Sequence, residues 1–327
     1  MCGILNPHRA AELLSRLINE ATVEDVCEGG QMENSIGIIG LGRCGMPAAR
    51  QYLSKGYTVY GYARRPQVIA EFEGAGGNHV ISPMEVARQV KTVIVMVLND
   101  EQVIEVITGE YGLLKTAAED STIVCMSTIN GENLKRMNSA CKEQGVKLID
   151  CPFTGGPARV EQGTLTLIAA APEDILNAVR PALEVIGQIT YAGPEPGMGQ
   201  AVKHCNQLLV TTIHAATIEL ILLARKTGVD PKLVCDVVGS GIGGNDYFRL
   251  LSKGILENTT SPGGMGQLWK DVNIAVTSAR THNLPLLTVT AASQYFNMAM
   301  AQGMATEDSA RLMDVLEGMA GQARSHA

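Results

Sequence analysis

An α/β domain on a mostly parallel sheet, joined by one long helix to an all-α domain, is the fold this 327-residue sequence predicts. Three observations lead there. From Ser35 to about Gly193, short β-branched runs alternate with helical stretches, as βαβ units do. Gly199 to Thr227 then runs without proline or interior glycine and stops at Gly228, the pattern of a long helix with a glycine C-cap. Beyond it, strand-like runs are few. Length agrees, since roughly 100–200 residues make a domain and single cores stop growing short of this size.

Taken in order, residues 1–33 are read as an N-terminal extension, 34–195 as the α/β domain and 196–327 as the helical one. The extension carries Glu12, Glu20, Glu24, Asp25 and Glu28 and no apolar h-region, which argues against a targeting peptide. Leu13, Leu14, Leu17 and Ile18 would line one side of a short amphipathic helix. Strands are expected at Ile36–Ile39, Thr58–Tyr60, Val93–Val97, Ile123–Met126, Val146–Ile149 and Leu165–Ile168. Ser82-Pro83-Met84-Glu85 combines an N-cap, an N1 proline and a capping-box glutamate, and Asn130 is a second N-cap candidate. Asp230-Pro231 opens the helical part, followed by apolar-periodic stretches at 268–282, 284–302 and 306–318. A glycine-rich loop, Glu257 to Gln267, interrupts them.

Composition narrows the function. Lys plus Arg number 26 against 33 Asp plus Glu, and a net charge of −7 gives general nucleic-acid binding no electrostatic footing. With 46% apolar and 18% charged residues the chain reads as soluble and globular, with no membrane partner expected. Eight cysteines contain no C-x-x-C pair and no histidine at zinc-ligand spacing, so no metal site or disulfide framework is expected. Cys125 and Cys235 sit in apolar runs where a free thiol acts as a small hydrophobe, which suits the cytoplasm. Broad apolar faces in the helical half suggest a homo-oligomer.

Gly40-Leu41-Gly42-Arg43-Cys44-Gly45-Met46 places G-x-G-x-x-G after a strand and before a helix. Dinucleotide binding needs a tight turn at the first glycine, room for a pyrophosphate at the second and close helix packing at the third. The second strand of such a unit normally ends in an acid that binds the ribose diol. Here Arg64 and Arg65 follow it instead, and two guanidiniums beside no carboxylate favour NADP over NAD. Arg64 stacked on adenine, or both side chains merely solvated, are the bland readings. Thr154, Gly155 and Gly156 put a hydroxyl beside exposed backbone N–H groups, suited to a carboxylate, though a plain turn looks the same. Lys203 begins the long helix among Ala201, Val202, Leu208, Leu209 and Val210, with Asn206 and Gln207 on its face. Desolvation there would lower the lysine pKa toward acid/base use. His214 lies about 16 Å further along the helix and is read as a packing histidine.

Gly40 to Ala48, Asp150 to Gly156, Gly197 to Gln207 and Leu268-Trp-Lys270-Asp271 together resemble, in order, the signature blocks of the β-hydroxyacid dehydrogenases. That family includes 3-hydroxyisobutyrate dehydrogenase and tartronate semialdehyde reductase. The resemblance implies a Rossmann-like domain, a long interdomain helix, an all-α domain and a cleft site between them. It also implies Lys203 as catalytic lysine, Thr154 to Gly156 as the carboxylate loop, and Lys270 near nicotinamide and substrate. Val97, Leu98 and Thr128 would line the cofactor. Thr154 stands where serine is usual and Gln207 where asparagine is, which shifts the substrate more than the reaction. Gln207-Leu-Leu, His214, Gly244-Asn245 and Glu307 to Ala310 look more like the L-threonate dehydrogenase branch.

The expectation is therefore an NADP-preferring oxidoreductase acting on a small hydroxy acid, with Lys203 exchanging the hydroxyl proton. The alternatives are reduction of an aldehyde acid, the same chemistry reversed, and a silent dinucleotide-binding sensor. Amides at Asn206 and Gln207 would be left unpaired by a methyl substrate and satisfied by an extra hydroxyl, as on a threonate.

Overall fold

The computed structural model describes residues 34–261 and 263–321; the predicted extension and its amphipathic helix lie outside them. From Ser35 onward the chain forms one compact unit. Its first part is a nine-stranded sheet. The elements run β1 (Ser35–Ile39), α1 (Gly45–Ser54), β2 (Thr58–Tyr62), α2 (Pro66–Gly74), β3 (Asn78–His79), α3 (Pro83–Gln89), β4 (Thr92–Val95) and α4 (Asp100–Thr108). They continue with β5 (Thr122–Cys125), α5 (Gly131–Glu143), β6 (Lys147–Asp150), β7 (Phe153–Thr154), α6 (Gly156–Glu161), β8 (Leu165–Ala170), α7 (Glu173–Leu183) and β9 (Gly187–Gly193). Strands β3-β2-β1-β4-β5-β6 lie side by side and parallel. The order reverses between β1 and β4, so the crevice beyond their carboxyl ends is where such a sheet receives a ligand.

Alternation in the strands gives the sheet two buried faces. Ile36 and Ile38 point to one side with Tyr52, Val59 and Phe72, while Ile39 points to the other with Val86, Val93 and Val103. Gly37 is needed on the second face, because a Cβ there would stand 2.4 Å from Val86 Cγ1. The expected caps form: Ser82 Oγ accepts from Glu85 N, and Asn130 Oδ1 from Glu132 N. Glu85 turns outward to Arg88 instead of closing the capping box. Strand β4 ends at Val95, two residues earlier than predicted, because Val97 is bonded by the Ser127 hydroxyl rather than by a ladder neighbour.

The helical part is α8 (Met198–Thr227), α9 (Pro231–Ser240), α10 (Asp246–Leu256), α11 (Met265–Thr281), α12 (Leu287–Ala301) and α13 (Leu312–Met319). Helix α8 spans about 45 Å at 1.5 Å per residue and ends on Gly228 in the left-handed region. By length and composition it would also suit a membrane span. Its inner face, with Thr211, His214, Thr217 and Ile218, is instead buried among the other helices. Asp230 caps α9 by accepting from Lys232 N. The predicted loop to Gln267 is shorter than expected: α11 starts at Met265, whose N–H and that of Gly266 are held by Glu307 O and Ala305 O. The 306–318 stretch likewise divides into a β-bridge at Asp308, a 3-10 turn at Ser309–Arg311 and α13.

Candidate active site

The glycine turn meets the three physical requirements of a pyrophosphate cradle. Gly40 has φ +97°, and a Cβ on it would meet Met96 O at 2.5 Å. Gly42 faces open space, with nothing within 4 Å of where its Cβ would be. A Cβ on Gly45 would strike Gly40 O at 2.0 Å, so the first turn of α1 lies directly on the loop. Leu41 and Met46 are buried beneath, Cys44 is half-buried and Arg43 is exposed. Arg43 Nη1 would lie 3.4 Å from a Cβ on Gly264, so the loop reaches the start of α11.

The remaining residues expected to line a cofactor stand along the same sheet edge. Arg64 and Arg65 follow β2, both exposed, and neither guanidinium has a hydrogen bond or ion pair among the described residues. Val97 packs on the glycine turn, 3.1 Å from a Cβ on Gly40, and Leu98 is exposed. Thr128 follows β5, half-buried. The Thr154-Gly155-Gly156 turn has φ +129° and +70° at its glycines. It is set by β7 pairing with β8, and a Cβ on Gly155 would press on Arg159 and Leu165. Among the described residues no hydrogen bond links this turn to Lys203.

Lys203 is 8% exposed, and its ammonium has no hydrogen bond or ion pair among the described residues. Burial pushes its pKa below the ordinary lysine value, opposed by Asp271, while Lys270 pushes the same way as burial. The source of that burial differs from the sequence expectation: Ala201, Val202 and Leu209 are exposed on the opposite side of α8. Helical geometry turns Lys203 toward α11 and the glycine turn, where Asp271, Lys270 and Cys44 act on it. Those groups, not its sequence neighbours, set its surroundings.

Asp271, 1% exposed, organises this corner. Its Oδ1 is 2.7 Å from Lys270 Nζ, and its Oδ2 accepts from Gln207 Nε2 at 2.7 Å. Gln207 Oε1 in turn accepts from Asn206 Nδ2 at 2.8 Å. Each end of the Gln207 amide thus has one partner, which leaves it a second donor and a second acceptor position. Asn206 keeps its Oδ1 unbonded among the described residues. Lys270 also donates to Thr128 O.

Sequence reasoning missed the residues behind this layer. Asp150 is fully buried at the end of β6, and its Oδ2 accepts from Gly197 N and Gln200 N at 2.8 and 3.1 Å. A carboxylate at a helix N-terminus is favoured by unpaired N–H groups and by the helix dipole. Burial still raises its pKa to about 6, against the opposing pull of those donors. Gly199 allows the approach, since a Cβ there would be 2.7 Å from Ile168 O and 3.0 Å from Asp150 Oδ2. Gln200 and His204 continue the contact; Gln200 lies about one turn before Lys203 and His204 immediately after it. The available signal was an acid ending a strand just before Cys-Pro, and a glutamine three residues before the lysine.

Comparison with known proteins fits this geometry. Residues 35–193 match the NAD binding domain of 6-phosphogluconate dehydrogenase, and 197–316 the NAD-binding domain of NADP-dependent 3-hydroxyisobutyrate dehydrogenase. The 2-(hydroxymethyl)glutarate dehydrogenase of Eubacterium barkeri is 30% identical over 294 residues, covering 89% of this chain and 98% of that protein. The chain belongs to the β-hydroxyacid dehydrogenase family. It is an NAD(P)-dependent hydroxyacid dehydrogenase with the family's two-part architecture. The L-threonate dehydrogenase of Cupriavidus necator is 29% identical over 290 residues, covering 88% of this chain and 98% of that one. The solved structure of Psf3 in complex with NADP+ and 2-OPP superposes with a TM-score of 0.79 at 27% identity, over 86% of this chain and 99% of that chain.

Proposed function

We propose that the enzyme prefers NADP and uses Lys203 to exchange the hydroxyl proton of a small hydroxy acid. The observation that carries this is the lysine itself, buried at the crossing of α8, α11 and the glycine turn with its ammonium unbonded among the described residues. A bound nicotinamide supplies or accepts the hydride. Lys203, with its pKa lowered by burial, takes or returns the proton on the oxygen and stabilises negative charge there. Lys270, held by Asp271, is a second cation beside it. The Thr154-Gly155-Gly156 turn would bind the acid group, and Asn206 Oδ1 remains free to accept a further hydroxyl. That last feature favours a threonate-like substrate over a methyl-bearing one. Arg64 and Arg65, without carboxylate partners, favour a 2′-phosphate.

Lys203→Ala should leave cofactor affinity nearly intact and lower kcat by about 10²–10⁴. A panel of hydroxy and aldehyde acids with NADP(H) and NAD(H) tests substrate and cofactor together. Turnover at the wild-type rate in Lys203→Ala, or a preference for a methyl-bearing acid, would refute the corresponding part.

A second copy of this chain is the partner we propose for the outer face of α8. Val202, Leu209, Ala216 and Leu223 are exposed there at seven-residue spacing, the repeat that suits packing against another helix. Light scattering on the native enzyme and on Leu209→Asp decides it; a monomeric native enzyme rejects the idea. Six free cysteines among the described residues support a reducing compartment, which we propose is the cytoplasm.

A further inference from the structure

We propose that Gln200 is a positioning residue for the reaction, fixing the helix that bears Lys203 against the strand ends that line the cofactor. The inference rests on the acid/base reading of Lys203. Proton and hydride transfers require a lysine on α8 and a cofactor held by the sheet to stay in register, and about 1 Å of misplacement is enough to cost about 10²-fold in rate. Gln200 lies three residues before Lys203, on the same face of α8. It is fully buried.

Its whole amide is spent on the sheet. Oε1 accepts from Ile129 N at 3.0 Å, and Nε2 donates to Ser127 O at 3.0 Å and to Asp150 Oδ1 at 2.9 Å. An apolar side chain of the same size would fill this space but leave Ile129 N, Ser127 O and Asp150 Oδ1 each short of a partner, so the amide ties α8 to three separate points and fixes its register. The grip bears on the turn that presents Thr128. Its neighbours complete it: His204 Nε2 bonds Ile129 O at 3.1 Å, and Lys270 donates to Thr128 O. The Ser127 hydroxyl passes the constraint on, accepting from Val97 N at 3.0 Å and donating to Val97 O at 2.8 Å. A continuous path of bonds thus joins the turn of α8 that carries Lys203 to Thr128 and Val97.

The test uses the full-length enzyme with Gln200→Met, which keeps the volume and deletes the bonds, and Gln200→Glu, which keeps the acceptor for Ile129. In Gln200→Met, kcat should fall about 10²-fold while the NADP Kd stays within about threefold. The primary deuterium isotope effect, measured with cofactor deuterated at the transferred position, should rise as hydride transfer becomes limiting. In Gln200→Glu, the rate relative to wild type should climb as pH falls from about 8 to about 5.5, because the protonated carboxyl regains one donor. Wild-type kcat in Gln200→Met, or equal losses of kcat and cofactor affinity, overturns the proposal. If that variant does not fold, a rate ratio for Gln200→Glu that is flat with pH overturns it. Lys203→Ala run alongside separates the two ideas: normal turnover there refutes the acid/base reading, whereas an inactive Lys203→Ala beside a fully active Gln200→Met refutes only the role of Gln200.

Discussion

Replacing Gly42 and Gly45 one at a time by alanine separates what the glycine turn needs to fold from what it needs to bind. At Gly42 a methyl meets no atom within 4 Å and φ is not positive, so folding bears no steric cost. The alanine would even stabilise slightly, by about 0.4–1 kcal/mol, through a less flexible unfolded chain. At Gly45 the methyl lands 2.0 Å from Gly40 O, so turn and helix must part by about 1 Å. Overpacking of that kind costs about 1–3 kcal/mol. Thermal unfolding should therefore be unchanged or slightly raised in Gly42→Ala and lowered by several degrees in Gly45→Ala. NADPH fluorescence titration should show at least about a tenfold weaker Kd in Gly42→Ala, equivalent to about 1.4 kcal/mol of lost contact. A Gly42→Ala enzyme that binds NADPH like wild type would refute the reasoning, because the open space at that glycine would then have no dinucleotide in it.

Arg64→Ala should weaken NADP binding more than NAD binding, since only NADP loses a charge-assisted bond, and equal losses in parallel titrations would mean stacking on adenine instead. Arg225→Ala strands the buried Glu317 carboxylate, which it pairs with, and should destabilise by about 3 kcal/mol; Arg225→Ala combined with Glu317→Gln should recover much of that in urea unfolding. Burial lowers the His214 pKa to about 4, so between about 4 and 6.5 the unfolded chain binds more protons and stability falls as pH drops. The loss reaches about 3 kcal/mol below that window. His214→Gln should flatten this acid slope, read from urea midpoints at several pH values, and an unchanged slope would exclude His214 as its source.

The sheet was legible because its strands repeat a simple signal: β-branched runs such as Val93–Val95 and Ile123–Cys125, separated by capped helices. Strand β9 was missed, since Gly187-Gln-Ile-Thr-Tyr-Ala-Gly mixes exposed polar residues with glycines at the sheet margin, away from the core that gives strands their apolar pattern. For the site, the three glycines could be assigned in advance because their roles are local backbone geometry. Lys203 could be located, but the cause of its burial could not. Ala201 and Leu209 look like company in the sequence yet lie around the helix, while Asp271, sixty-eight residues away in the chain, stands near enough to act on it. Asp150, Gln200 and His204 gave still less warning, as their contacts join segments about fifty to seventy-five residues apart.

The carboxylate of Asp150 beneath the start of α8 also bears on how this enzyme can be taken apart. The seam after Gly193 looks like a natural place to divide the chain, with sheet on one side and helices on the other. A fragment cut there would keep Asp150 yet lose the N–H groups of Gly197 and Gln200, and the Gln200 amide, that satisfy it. Its core would hold a bare acid, which must take up a proton or admit water. The helical piece would begin with unbonded donors at its first turn. Neither half is thus a self-sufficient module, and grafting the helices onto another nucleotide-binding sheet would demand an acid at the matching strand end and a glycine facing it.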